Sequence, residues 1–288
     1  MSVETTSGRG DPGTAAPVLA TPHPASAETA ALARRLVDVV AEAGEMALSM
    51  SRAGVRSWTK GNDSPVTEAD MAVDAFLRRS LEALDPAIGW LSEESADTPA
   101  RLAVRRVWVV DPIDGTRAFM AGGPDWAVSA ALVEDGRPVA AALFAPVTQE
   151  MFTALAGHGA QRNGTRLAAP PRGGLAGARV AGPPSDMDAI ARVAPVERLP
   201  RIRSLALRLA RVATGEIDLA LSAGNSADWD LAAADLVVHE AAARLTTRAG
   251  AHLIYNRADP RHPALVCAGD ALHAATLAAP QLSDFFSP

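Results

Sequence analysis

"VVDPIDGTRAF", residues Val109 to Phe119, sets two aspartates, a proline and a glycine directly against the end of an apolar run. Asp111 closes the run and Asp114 follows three residues later, just before Gly115 and Thr116. Carboxylates buried at a strand end are costly unless they are paired or hold a cation. No lysine or arginine lies between the two, so an ion pair would need a distant partner. Gly115 and Thr116 allow a sharp turn that leaves backbone N–H groups exposed, an arrangement that attracts phosphate. Carboxylates beside a phosphate repel it unless a hard divalent cation stands between them, and oxygen-only ligands favour magnesium over zinc. The competing reading is a plain loop, with Asp111 capping a turn and Asp114 capping the next helix.

Three other segments carry the same signal. "WLSEES" sets Glu93 and Glu94 after an apolar run, "SADWDLAAADL" places Asp230 at a helix start, and "SPVTEAD" ends on Asp70. Each has a local alternative: solvated loop charges for Glu93 and Glu94, an N-cap for Asp230, and a capping box for Thr67 and Asp70.

The totals bound the chemistry. The 288 residues suffice for one large domain or two modest ones sharing a core. With 48% hydrophobic and 21% charged residues the chain has an ordinary globular balance, and no apolar run approaches membrane-spanning length. A formal net charge of -6 argues against a general nucleic-acid binder. Cys267 is the single cysteine, which excludes an intramolecular disulfide and a CxxC metal site. The start, "MSVETTSGRGDPGTAAP", lacks a basic n-region and an apolar h-region and does not read as a signal peptide, so a cytoplasmic location is the expectation.

Along the chain, residues 1–26 read as a disordered tail. Leu32, Leu36, Val39, Val40, Ala43, Ala47 and Met50 repeat at helical spacing. Lys60 to Asp70 reads as a turn-rich loop before a second helix, whose stripe is Val73, Phe76, Leu77, Leu81 and Leu84 and which Asp85-Pro86 stops. "AIGWLS" and "RVWVVD" read as strands, and Asp135-Gly136 and Asn163-Gly164 as hairpin turns. The Pro/Gly-rich stretch Ala168 to Ala178 divides an α+β metal-binding half, 27–168, from an α/β half, 169–288. In the latter the pattern predicts a strand near Val180, helices at 186–193, 204–214 and 230–243, strands at 217–222 and 264–268, and a final helix.

Taken in order, "SPVTEAD", "WLSEES", "DPIDGTRAF" and "ADWDLAAAD" resemble the signature set of the inositol monophosphatase superfamily, over residues 28–275. The resemblance implies a layered α-β-α-β-α sandwich of the inositol monophosphatase and fructose-1,6-bisphosphatase type, assembled as a homodimer. It implies a Mg²⁺-dependent phosphomonoesterase with two or three ions per site, acting on a small-molecule phosphate ester and not on nucleic acid or membrane. Carried over, Glu93, Asp111 and the Ile113 carbonyl hold one ion, and Asp111, Asp114 and Asp230 a second. Asp70 with Glu93 places a weaker third through water. Thr116, assisted by Glu93, orients and helps deprotonate the attacking water, and the N–H groups of Gly115 and Thr116 hold phosphate oxygens, so that Asp114, Gly115, Thr116 and Asp230 border the substrate.

Within the superfamily, "LSEE" and "DSPVTEAD" are most similar to the bacterial CysQ branch, which implies 3′-phosphoadenosine 5′-phosphate as substrate. Arg208 falls where that branch carries a lysine in "SLK", as a contact for an additional phosphate or, alternatively, as a solvated helix-face charge. Ala223 stands where the inositol branch carries a glutamate, and Ala118 where the CysQ branch carries one. Inositol 1-phosphate, histidinol phosphate and sugar phosphates remain alternative substrates. A haloacid-dehalogenase-type phosphatase would need D-x-D-x-T, but here the acids are three apart. A non-catalytic metal or metabolite sensor of the same fold is the reading from another class. His158 in "AGHGAQRNG" has no partner at a diagnostic spacing, and Trp229 reads as packing that fixes a helix start.

Overall fold

The computed structural model describes residues 24–60, 64–279 and 282. The expected tail, up to residue 23, lies outside the described residues. Helix α1 (Ala27–Ala53) starts at Ser26, whose hydroxyl accepts the Thr29 N–H at 3.1 Å, as an N-cap should. Where a loop was expected before the second helix, Ser64–Thr67 (β2) pairs antiparallel with Ser57–Lys60 (β1). The intervening residues 61–63 lie outside the described residues. Helix α2 (Glu68–Glu82) follows at once, with Thr67 and Asp70 forming the anticipated capping box.

Among the described residues, seven strands form one sheet in chain order: β3 (Gly89–Ser92), β4 (Arg106–Asp114), β5 (Ala127–Glu134), β6 (Arg137–Ala145), β7 (Glu150–Leu155), β8 (Gly159–Arg162) and β9 (Thr165–Arg166). Only β3 and β4 in this sheet run parallel. Both anticipated two-residue turns have positive φ at each position, 48° and 77° at Asp135-Gly136 and 48° and 77° at Asn163-Gly164, the twist that two-residue hairpins prefer. Short helix α3 (Thr116–Met120) leaves the end of β4.

The second half supplies β10 (Arg179–Ala181), α4 (Pro184–Val193), β11 (Glu197–Arg198), α5 (Leu205–Ala213), β12 (Leu219–Ser222), β13 (Ser226–Ala227), α6 (Asp228–Glu240), β14 (Ala243–Thr247), β15 (Arg261–His262), β16 (Leu265–Gly269) and α7 (Asp270–Leu277). Its main sheet has the order β11-β10-β12-β16-β14, and β13 pairs with β15. The helix expected to reach residue 243 stops at Glu240, because Ala242 takes a left-handed φ of 59° and the chain turns into β14.

Side-chain alternation explains the layering. Along β4, Trp108 and Val110 face α1 and α2, while Val107 and Val109 face α5 and α6. Beyond that helical layer, Ala220, Leu265 and Cys267 of the second sheet share the central core, and Leu219, Leu221, Val266 and Ala268 pack outward with Ile190 of α4 and Leu272 of α7. The result is an α-β-α-β-α sandwich. Helix α6 is buried continuously from Leu231 to Val238, as a helix clamped between two sheets must be. No helix among the described residues is long and apolar enough to cross a membrane.

Candidate active site

Asp111 and Asp114 are three residues apart on β4, a spacing that a regular strand would split between opposite faces. The ladder with β5 resolves this: Asp111 pairs with Ser129 and Asp114 with Ala127, so β4 carries one extra residue there. Such a bulge re-aims the side chain that follows it, and Pro112, which has no N–H to donate to a ladder, sits inside it. Both carboxylates therefore meet on one side, at the mouth of the α5–α6 layer. Asp230, three residues beyond the Ala227 N-cap of α6, joins them: ligand oxygens of Asp111, Asp114 and Asp230 all lie within 4.8 Å of one another.

Each carboxylate is held separately. Asp111 accepts the Ile113 N–H at 3.0 Å, Asp230 accepts the Ala227 N–H at 2.7 Å, and Asp114 accepts from the Ser204 hydroxyl at 2.5 Å and the Ala206 N–H at 2.7 Å. The Leu205 N–H adds a third bond to Asp114 at 3.2 Å, so the first turn of α5 is tied to the end of β4. Gly115 follows at φ 96°, where an added Cβ would come within 2.7 Å of the Asp125 carbonyl and 3.2 Å of the Ser204 nitrogen. Only glycine fits both the left-handed backbone and that close approach.

Asp70 and Glu93 complete the ring of acids. Asp70 is buried at the start of α2; its Oδ2 accepts the Thr67 N–H at 2.7 Å, and its Oδ1 lies 3.4 Å from the Thr116 hydroxyl. That hydroxyl also donates to the Ile113 carbonyl at 3.2 Å. Glu93 and Glu94, just past β3, are half-buried. The turn carrying them is fixed by Asp74, which sequence reasoning passed over: it accepts the Ser92 and Ser95 hydroxyls, each at 2.5 Å. Its signal was available, since Asp74 falls one helical turn after Asp70 on the buried face of α2.

The electrostatics follow from crowding in a dry place. Burial first, and then Glu93, Asp114, Asp230 and Asp70, push the Asp111 carboxyl well above its ordinary value. Burial likewise raises Asp114, against the opposing bonds from Ser204, Ala206 and Leu205 and the charge of Arg208. Asp230 is pushed up to about 7 by burial and then by Asp114. With Asp111 only 1% and Asp114 6% exposed, and no direct ion pair to Asp111, Asp114 or Asp230 among the described residues, the charges of Arg208 and Arg261 reach the cluster only from a distance. A set of oxygen-only donors so arranged fits a hard divalent cation.

A cleft of about 170 Å³ opens onto the group, lined by Pro65, Glu93, Asp111, Asp114, Gly115, Thr116, Arg117, Arg201, Arg203 and Asp230. Ile113 lies beneath it, fully buried. Arg208 is beside Asp114 but not in the lining; its guanidinium is largely desolvated, with Nε unbonded. His158 is remote, lining a groove between α1 and the seven-stranded sheet with Arg34 and Gln161. Trp229 packs against the central core.

These features define a class: a buried carboxylate centre, suited to divalent cations, at the junction of two sheets in a layered sandwich. The model of the inositol monophosphatase family matches residues 26–283, and the chain belongs to that family. It is similar to the histidinol-phosphatase of Mycobacterium tuberculosis, 37% identical over 206 residues that cover 67% of this chain and 77% of the relative. It is also similar to the 3'(2'),5'-bisphosphate nucleotidase CysQ of Aggregatibacter actinomycetemcomitans, 30% identical over 228 residues, 74% of this chain and 82% of the relative. Among solved structures it resembles the extragenic suppressor protein suhB from Bartonella henselae, with a TM-score of 0.77 and 27% identity over 86% of this chain and 98% of that one.

Proposed function

We propose that this protein hydrolyses a small phosphomonoester with water, releasing an alcohol and inorganic phosphate, and that its substrate is 3′-phosphoadenosine 5′-phosphate. The observation that carries the reaction class is the convergence of Asp111, Asp114 and Asp230, whose ligand oxygens lie within 4.8 Å of one another in a buried cleft. Glu93, Asp111 and the Ile113 carbonyl would hold one Mg²⁺, Asp111, Asp114 and Asp230 a second, and Asp70 with Glu93 a weaker third through water. Bound magnesium supplies the positive charge that polarises the phosphoryl group, acidifies the attacking water and neutralises the leaving oxygen.

The chain's own groups position the rest. The Thr116 hydroxyl lies 3.2 Å from the Ile113 carbonyl and 3.4 Å from Asp70 Oδ1 and can turn its single proton to either, so Asp70 joins Glu93 in the assisting role that the resemblance gives to Glu93. The attacking water hydrogen-bonds to Thr116 Oγ1 and passes its proton through that hydroxyl to Asp70. The N–H groups of Gly115 and Thr116, at the turn between β4 and α3, hold phosphate oxygens. The basic lining of the cleft, Arg117, Arg201 and Arg203, supports a substrate richer in negative charge than a simple monophosphate. Histidinol phosphate, which the 37% identity to a histidinol-phosphatase favours, would set its own ammonium against those cations. The same reading carries a homodimer in the cytoplasm.

Phosphate release from 3′-phosphoadenosine 5′-phosphate, inositol 1-phosphate, histidinol phosphate and fructose 1,6-bisphosphate tests it. Activity is expected only with Mg²⁺, highest on the first, and Asp111→Asn should lower kcat by about a thousandfold or more. Undiminished turnover in excess chelator refutes the reaction class, and a preference for histidinol phosphate refutes the substrate.

A further inference from the structure

Arg101, in the 3₁₀ turn Pro99–Ala103 between β3 and β4, is only 2% exposed and lies outside the lining of the cleft. A buried guanidinium is costly unless acceptors surround it, and here they come from two distant parts of the chain. Nε and Nη2 donate to the two carboxylate oxygens of Asp97 at 2.6 and 2.8 Å, a bidentate fork. Nη1 donates to the Asn256 side-chain oxygen at 2.7 Å and to the Arg257 carbonyl at 2.9 Å. The Asn256 amide in turn donates to the Arg101 carbonyl at 3.1 Å.

The bonds continue inward from Asn256. Its backbone, at φ 57°, takes the left-handed form that asparagine adopts more readily than most residues. Its N–H donates to Asp228 Oδ2 at 2.7 Å, and His262 Nε2 lies 2.7 Å from Asp228 Oδ1. Asp228 is the fully buried first residue of α6, and its own N–H donates to the Pro260 carbonyl at 2.9 Å. Asp230 follows two residues later. At the other end, Asp97 belongs to the segment that leaves β3 through Glu93. Asp74 ties that segment to α2, and the run Asp97–Arg101–Asn256–Asp228 ties it to α6. We infer that Arg101 is a positioning residue for the divalent-ion centre: it joins the segment behind Glu93 to the start of α6 and so sets the separation of Glu93 from Asp230. The inference rests on the metal-dependent reading of the cluster and adds what keeps its two carriers in register.

Titration calorimetry of magnesium into the metal-free protein tests it. R101K keeps the charge, but a single ammonium cannot both fork to Asp97 and reach Asn256, so magnesium affinity should fall about tenfold. N256G keeps the left-handed backbone and the N–H to Asp228 while losing the side-chain bonds, and should weaken binding about fivefold. Because both act through one run of bonds, R101K/N256G should stay within about twofold of R101K. At saturating magnesium kcat should return to within about threefold of wild type in each variant, the half-activating concentration rising in step with the calorimetric change. An arginine with a merely structural role would lower the melting temperature and leave the affinity alone. Unchanged affinity in R101K, losses that multiply in the double variant, or a kcat that stays low at saturating magnesium overturns the inference. If the wild type binds magnesium yet hydrolyses no phosphate ester, the phosphatase reading falls and the titration still decides Arg101; a wild type that binds no magnesium overturns both. Should R101K fail to fold, N256G, which leaves the charge pair intact, carries the same comparison.

Discussion

Replacing Asp230 by asparagine should stabilise the metal-free protein while removing its response to magnesium. The Asp230 carboxyl is raised from 3.8 to about 7, by burial and then by Asp114. A carboxyl whose folded pKa lies above its unfolded one destabilises the fold: the penalty is absent below about pH 4, grows as the pH climbs towards the folded value, and is constant above it. The two values for this group correspond to a ceiling of roughly 4 kcal/mol. Relaxation of the cluster and entry of water reduce this, leaving an expected gain of about 1–3 kcal/mol for the variant. Asparagine retains an oxygen for the Ala227 N–H, bonded at 2.7 Å, so the start of α6 is not lost. In a chain of this size each kcal/mol moves Tm by about 2–4 °C. Calorimetric melting in chelator should therefore place D230N several degrees above the wild type at about pH 8 and level with it at about pH 4. Excess magnesium should reverse the order, since only an intact ligand set gains stability from the bound ion. If D230N melts lower than the wild type by the same margin at both pH values, the carboxylates do not repel one another and the electrostatic account fails.

Three further outcomes test particular parts of the site. Asp74→Ala frees the Ser92 and Ser95 hydroxyls and loosens the turn that carries Glu93, so magnesium affinity measured by titration calorimetry should fall about tenfold with little change in fold. Gly115→Ala forces a Cβ to within 2.7 Å of the Asp125 carbonyl at φ 96°, and should cost about 1–3 kcal/mol, seen as a lower Tm together with lost turnover. Thr116→Ala should lower kcat by about a hundredfold or more with magnesium affinity unchanged, because the proposed mechanism gives the hydroxyl the orienting of water and no place among the metal ligands.

What could be read from the chain alone was whatever local physics determines. The stripes of α1 and α2, the Thr67–Asp70 capping box and the two positive-φ hairpin turns depend on near neighbours, and their residue types announce them. Glu93, Asp111 and Asp114 stood out because they follow apolar runs, Asp70 because it falls three residues after Thr67, and Asp230 because it opens a helix. The second half was less legible. Strand β14 was hidden behind alanines that read as a continuation of α6, and only the left-handed Ala242 ends that helix. The ladder slip at Pro112-Ile113 is likewise a property of the β4–β5 pair, which no single strand's pattern reveals. Arg201 and Arg203 escaped notice for a related reason: as exposed charges in a coil they look like solvated surface, and only the fold turns them towards the acids.

The three bonds on Asp114 show why the centre and the architecture cannot be separated. Its carboxylate belongs to β4 in the first sheet, yet Ser204, Leu205 and Ala206 donate to it from the start of α5 in the second half. Helix α6, which delivers Asp230, packs against the same face of β4 through the shared central core. Asp230 meets Asp111 and Asp114 only where α6 lies against β4, so the cluster of three depends on that packing. On the proposed function, divalent-ion binding would be coupled to docking of the two halves, and the bound ion, by offsetting the repulsion among Asp111, Asp114 and Asp230, would add a stabilising tie at the junction where backbone N–H groups already hold Asp114.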